Sequence, residues 1–264
     1  MDLGFSDEVV DLYHRYRRGY PAPVIATIAK AFGLAADDVV IDIGCGTGQL
    51  TLPLARRVRA AVGVDPEPDM LARARQTAHE QGVTNISWML AADADLPAFG
   101  TLVGKHRLAA ATIGQALHWM TPETLFHDVA PLLRPGGGVA VVTNGTPLWL
   151  QQTSWSKALR HVLEQWLEEP ATDPCGTDEA SQHRYANALA AAGMHVNRAT
   201  VNYTDELNLD QVIGGVLSAF SAEQLPRADQ RDTFAQRVRD ALAPHQRFSE
   251  HVQVTVLTGI VGNP

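Results

Sequence analysis

The sequence is poor in cysteine, in net positive charge and in long apolar runs, and each shortage removes a class of function. Two cysteines, Cys45 and Cys175, in 264 residues are too few for a disulfide framework or a cysteine-built metal site. With 21 Lys and Arg against 29 Asp and Glu, the formal net charge is −8. That charge repels a phosphate backbone and argues against nucleic acid as the main partner. No run approaches the roughly 20 consecutive apolar residues that span a bilayer. The first ten residues are acidic where an export signal would be basic, so a soluble, cytoplasmic protein with no membrane partner is expected. There is no fixed-period repeat or low-complexity tract. No H-x-x-x-H or comparable cluster supplies ligands, so no metal is expected. What remains is a chain with 45% hydrophobic residues, enough for one large α/β domain with an inserted lid.

The informative stretch begins at Val39-Val40-Ile41-Asp42-Ile43, a short β-branched run of the kind buried on both faces of a parallel sheet. Gly44-Cys45-Gly46-Thr47-Gly48 breaks it. A helix is predicted over 49–58, with Leu50, Leu54 and Val58 at helical spacing. Arg56, Arg57 and Arg59 follow, where positive charge suits a helix carboxyl end. A second buried strand, 61–65, ends on the carboxylate of Asp65. Strand, glycine turn, helix, strand is the opening of a nucleotide-binding α/β domain, whose ligands gather outside the carboxyl ends of the strands. The glycines at 44, 46 and 48 do not have the G-x-G-x-x-G spacing that brings a helix amino terminus to a pyrophosphate.

The runs DIGCGTG, from Asp42, and VGVDPEPDML, around Asp65, resemble the first two cofactor motifs of the class I S-adenosylmethionine-dependent methyltransferases. The resemblance implies a Rossmann-like α/β fold: a seven-stranded, mostly parallel sheet with helices on both faces, the last strand antiparallel, and a helical lid. It implies S-adenosyl-L-methionine as cofactor and S-adenosyl-L-homocysteine as product. The methyl group would pass to O, N or C of a small-molecule metabolite or natural product by in-line displacement. Gly44, Cys45, Gly46 and Gly48 would lie along the methionine and ribose portions, with Asp42 orienting the loop. Asp65, followed by Pro66, would accept charge-assisted hydrogen bonds from the ribose hydroxyls. The 91–97 segment resembles the family stretch that meets adenine, with Asp93 for the amino group, Ala94 for the ring and Asp95 as the alternative acid. Met70 and Leu71 either pack the adenine face or belong to the core.

A third strand is predicted at Ile86–Leu90 after a helix over 69–81, and a fourth over 108–113. Many family members carry an acid near the start of the fourth strand, where this chain has Lys105-His106-Arg107. The run Gln115-Ala116-Leu117-His118-Trp119 that follows resembles the subgroup acting on small molecules, methyltransferase type 11. Gln115 is then a candidate for the cofactor's methionine end. His118 is a candidate general base, since an imidazole with pKa near ~6.5 accepts a proton at neutral pH; alternatively it caps the next helix or packs beside Trp119. A helix end and glycine turn over 132–138 leads into a fifth strand, 139–143.

The segments outside this core divide the chain into lid helices over 1–34, the cofactor core over 35–146, a helical lid over 147–179 and the rest of the sheet over 180–264. The stretch from Tyr13 to Pro21 resembles a lid helix and turn, with Arg17-Arg18 where the family has Arg-Pro. Tyr13 and Tyr20 are candidates for the reacting site, and Arg18 for pairing with the cofactor carboxylate; the alternative is a basic amphipathic helix in water. Trp149, Trp155 and Trp166 lie on or near a predicted helix over 154–168. They form either an apolar acceptor pocket or the seam of the lid. Strands six and seven are expected over 196–208 and 251–260, with helices over 209–220 and 230–241. Monomer and homo-oligomer both remain open. Two rival functions share the fold: a cyclase-like reaction without methyl transfer, and a cofactor-binding scaffold without turnover.

Overall fold

The β-branched apolar runs form the middle of a twisted sheet, as a computed structural model describing residues 7–172, 175–221 and 223–262 shows. In chain order the strands are β1 (Val39–Ile43), β2 (Ala60–Asp65), β3 (Ile86–Leu90), β4 (Leu108–Gly114), β5 (Leu133–Asn144), β6 (Met194–Leu207) and β7 (Phe248–Val261). They form one seven-stranded sheet in the order β3-β2-β1-β4-β5-β7-β6. The first five are parallel, and β7 enters antiparallel between β5 and β6. Strand order reverses between β1 and β4, which opens the crevice where such sheets hold ligands.

The helices are α1 (Asp7–Tyr16), α2 (Ala22–Phe32), α3 (Thr51–Ala55), α4 (Pro68–Glu80), α5 (Leu96–Val103), α6 (Pro122–Val129), α7 (Ser154–Leu167), α8 (Glu179–Ala191), α9 (Leu209–Leu217) and α10 (Arg231–Leu242). Phe126 of α6 and Leu189 of α8 pack on one sheet face, against Ile41, Ile113 and Val141. Ile28 and Phe32 of α2 and Leu54 of α3 pack on the other, against Val40, Ala110 and Val142. Covering both faces explains why 108–113 is wholly buried and apolar but for Thr112, without the alternation of a half-exposed strand.

Two local expectations are corrected. The helix after the glycine loop runs only from Thr51 to Ala55, because Pro53, with no N–H and a fixed φ, suits a first turn and not a longer helix interior. The 136–138 glycines are part of β5 and not of a separate turn. At Gly138 a Cβ would stand 2.1 Å from the carbonyl oxygen of Gly259 on β7, so the absent side chain is what admits the antiparallel partner.

A third apolar cluster lies apart from the sheet. Trp155, Leu159 and Leu163 of α7 meet Val212 and Val216 of α9 and Phe234 and Val238 of α10. The helical cover expected over 147–179 thus shares its core with helices inserted between β6 and β7. Thr153 caps α7 through the Ser156 amide, and Asn208 and Gln211 form a reciprocal capping box at α9. The helix α1 straps across this cover: the Tyr16 ring lies over Gly214, and Asp11 and Glu8 pair with Arg73 of α4 and Arg231 of α10. Among the described residues, no helix is long and apolar enough to cross a membrane.

Candidate functional site

Asp42, next to last in β1, is almost wholly buried, at 1% exposure. Its carboxylate accepts hydrogen bonds from Thr51 Oγ1 at 2.5 Å and Thr112 Oγ1 at 2.8 Å, so it ties β1, β4 and α3 together beneath the glycine loop. Burial pushes its pKa up to about 6, against the pull of the two threonine hydroxyls. Above it, the amides of Gly44 and Cys45 donate to the Val64 carbonyl of β2 at 2.8 and 3.0 Å. Gly44 has φ +68°, and a Cβ there would stand 2.5 Å from that of Ala116. The close approach at this glycine is therefore to the segment after β4.

Asp65 ends β2 at 6% exposure. Its Oδ2 accepts from the Gly46 amide at 2.8 Å and its Oδ1 from the Glu67 amide at 3.0 Å. Burial raises its pKa to about 6, opposed by those two amides. The residue thus clamps the glycine loop, including the stretch around Gly46 and Gly48, to the second strand tip, and Pro66 continues the turn half-buried. Met70 is buried at 3% with Leu71 beside it at 1%. Near the end of β3, Asp95 accepts from the Ala92 amide at 2.9 Å and so caps its own turn. Asp93 is the half-buried acid not spent on that cap, and Ala94 is exposed.

At the carboxyl ends of β1, β4 and β5 lies a cavity of about 410 Å³, closed over by the α1–α2 turn, α9 and the chain after α7. Tyr13, Tyr20, Gln49, Gln115 and Asn144 line its inner part beside Asp42, Gly44 and Cys45. Among these, Gln49 Nε2, Gln115 Oε1 and Asn144 Oδ1 are buried without a hydrogen-bond partner. Buried polar atoms are nearly always satisfied, so three orphans on one cavity wall mark the place of a polar ligand. Donor and acceptor together fit an amino-acid group such as the methionine end of S-adenosylmethionine. Gln115 also holds φ +54°, a conformation non-glycine residues seldom adopt and one that clusters at ligand sites. Burial raises the phenol pKa of Tyr13 and, more strongly, of Tyr20. Both are therefore neutral hydroxyls at physiological pH.

Not every candidate gathers here. His118 does not line the cavity; its ring lies 5.1 Å from that of Trp119, and its Cβ is beside Gly176. It packs there next to Cys175 and Thr177, which do line the cavity. Arg18 lines the cavity, but its guanidinium pairs with Glu250 of β7 at 2.6 Å, not with an open position. The tryptophans divide between the two readings. Trp155 and Trp166 seal the cover, stacking edge-on against Phe248 and Phe234, whereas Trp149 lines the cavity. The sequence reading missed Gln49, Asn144, Arg17 and the α9 wall. Asn144 had a signal, as a polar residue that ends a largely apolar strand at the ligand side of the sheet. The α9 wall had none, because nothing local says that an insertion between β6 and β7 folds back over β1.

Known proteins resemble this chain in sequence and in fold. Residues 40–137 match the family profile described as a methyltransferase domain. The uncharacterized methyltransferase Rv3342 of Mycobacterium tuberculosis is 29% identical over 245 residues, covering 93% of this chain and 88% of that protein. The YcgJ protein of Bacillus subtilis shares the fold at a TM-score of 0.59 and 18% identity, with 92% of this chain and all of that one covered. The precorrin 8w decarboxylase of Methanobacterium thermoautotrophicum does so at 0.54 and 16%, covering 94% of this chain and 97% of its own.

Proposed function

We propose that this chain, whose residues 40–137 match a methyltransferase domain and which is 29% identical to methyltransferase relatives, is a class I S-adenosylmethionine-dependent methyltransferase that methylates O, N or C of a small-molecule metabolite or natural product in the cytoplasm. The observation that carries the reading is the cavity at the strand ends, with three orphaned amide atoms on its wall and apolar side chains among its lining. A cavity of about 410 Å³ suits small-molecule ligands rather than a polymer surface. The net charge of −8 supports the same class against nucleic acid.

Gln49, Gln115 and Asn144 would hold the amino-acid end of the cofactor, Asp65 its ribose hydroxyls and Asp93 its adenine. When bound, S-adenosylmethionine supplies an electrophilic methyl group on a sulfonium that needs no further activation. The protein's contribution is to hold an acceptor lone pair in line, and positioning of that kind supplies up to ~7–11 kcal/mol in well-oriented reactions. Tyr13 and Tyr20, neutral and buried, orient the acceptor by hydrogen bonding. The strap α1 and the cover of α7 and α9 keep water from the cavity.

Calorimetric titration with S-adenosylmethionine and S-adenosylhomocysteine tests the reading, with NADH as control and Asp65→Ala as variant. Micromolar binding of both adenosyl compounds, lost in the variant, supports it and opens an acceptor screen. Absence of binding, or preference for NADH, removes its basis. Binding without methyl transfer to any acceptor favours the cyclase-like or scaffold alternative.

A further inference from the structure

Two adjacent arginines leave the end of α1 with different surroundings. Arg18 is neutralised by the fully buried Glu250, and Asp205 stands opposite Glu250 in the β6–β7 register. Arg17 lines the same cavity, and among the described residues no carboxylate pairs with it. Its Nε and Nη2 donate to the Ser218 carbonyl at 3.3 and 3.2 Å, and its guanidinium carbon lies 5.3 Å from the centre of the Tyr13 ring. A guanidinium carries five N–H donors. One carbonyl leaves most of them unused on a half-buried wall, where an uncompensated charge is costly.

The position separates Arg17 from the orphaned amides. Those belong to the glycine loop and the ends of β4 and β5, whereas Ser218 closes α9 beside Phe220. Phe220, Leu163, Leu167 and Trp149 also line the cavity. Of the acids that share this wall, Glu169 accepts from Gln224 at 3.3 Å and Asp205 lies on the Arg18 side. A ligand lying along these apolar side chains would bring an anionic end to Arg17.

Resting on the methyltransferase reading, we propose that Arg17 recognises a carboxylate on the methyl acceptor, which makes the acceptor an amphipathic organic acid. The guanidinium binds the acid's carboxylate by charge-assisted hydrogen bonds while the apolar wall takes its hydrocarbon or aromatic body.

The experiment compares trans-cinnamate and octanoate with their primary amides, titrated calorimetrically into the protein with and without saturating S-adenosylhomocysteine. Wild type is expected to bind the acids roughly tenfold more tightly than the amides, the range of one charge-assisted hydrogen bond. Arg17→Gln should erase that preference while leaving amide binding in place, and Arg17→Lys should retain part of it. A merely structural tie from Arg17 to Ser218 would weaken acid and amide alike. Equal affinity of wild type for acids and amides, or a preference that survives in Arg17→Gln, overturns the proposal. So does an Arg17→Gln variant whose chief defect is roughly tenfold weaker S-adenosylhomocysteine binding, since Arg17 would then serve the cofactor's own carboxylate. Failure of wild type to bind S-adenosylhomocysteine counts against the methyltransferase reading, while the acid preference measured without it still reports on Arg17.

Discussion

Arg18, in the turn between α1 and α2, is held 2.6 Å from Glu250 of β7 although 232 residues separate them in the chain. Glu250 is fully buried; its Oε2 also accepts from Gln151 at 3.3 Å, and its Oε1 has no partner. The pair ties the amino-terminal strap to the last strand at the edge of the cavity.

Arg18→Met should therefore destabilise the fold by about 3 kcal/mol, since a buried carboxylate would lose its counter-charge. Burial raises the Glu250 pKa and Arg18 lowers it, so removing Arg18 pushes it further up. The loss should be smaller at pH 5 than at pH 8, because the stranded acid neutralises itself at low pH. Urea unfolding of the variant at both pH values measures this, and an equal loss at each would contradict it.

Asp42 and Asp65 both stand at about 6 in the folded state against an ordinary 3.8. Between those values the native protein holds more protons than the unfolded chain, so their contribution to stability is present below about pH 4 and is lost as pH rises through 6. Asp38, lowered by Arg134, runs the other way. Wild type minus Asp65→Asn, in urea midpoints from pH 4 to 7, should give a difference that shifts against wild type as pH rises.

The same shift sets a binding profile. Ribose recognition requires Asp65 as a hydrogen-bond acceptor, so S-adenosylhomocysteine affinity should fall as pH drops below about 6. Calorimetry from pH 5 to 8 should show that decline in wild type and a flat, weak profile in Asp65→Asn.

Gly44→Ala combines a φ of +68° with a Cβ 2.5 Å from Ala116. Overpacking of this kind costs about 1–3 kcal/mol, and the positive φ adds strain. Ala116→Gly in the same chain should recover the steric part and leave the strain. Thermal melts of the single and double variants separate the two, and a double variant no better than Gly44→Ala would place the whole cost in the backbone.

Gln115→Ala and Asn144→Ala remove atoms that have no partner in the free protein. Their stability should be unchanged or slightly raised, while S-adenosylhomocysteine binding weakens roughly tenfold or more. Loss of stability with intact binding would assign these amides to the scaffold.

The nucleotide-binding core was legible because its signals are local. Hydrophobic runs, glycine punctuation and a terminal carboxylate mark β1, the loop and β2 within 27 residues of chain, Val39–Asp65, and backbone sterics act over the same distance. The errors were local as well: Pro53 shortened α3, and a glycine run that read as a turn proved to belong to β5, with Gly138 paired to β7. Asp42, Gly44, Gln115, Tyr13 and Tyr20, named from their motifs, line the cavity, but a motif does not say whether Asp65 already holds Gly46 or whether His118 faces the cavity.

By itself the sequence determined the order of strands and helices and the position of the glycine loop, since periodicity and φ freedom are properties of a few neighbouring residues. Only the tertiary structure decided that Glu250 takes Arg18 and leaves Arg17 to the cavity, and that α9 and α10 join α7 in one cover. It also decided that Gln49, Gln115 and Asn144 converge with their hydrogen bonds unmade. Those are pairings between segments distant in sequence, fixed when burial forces each charge and polar atom to find a partner across the fold or to wait for one from outside it.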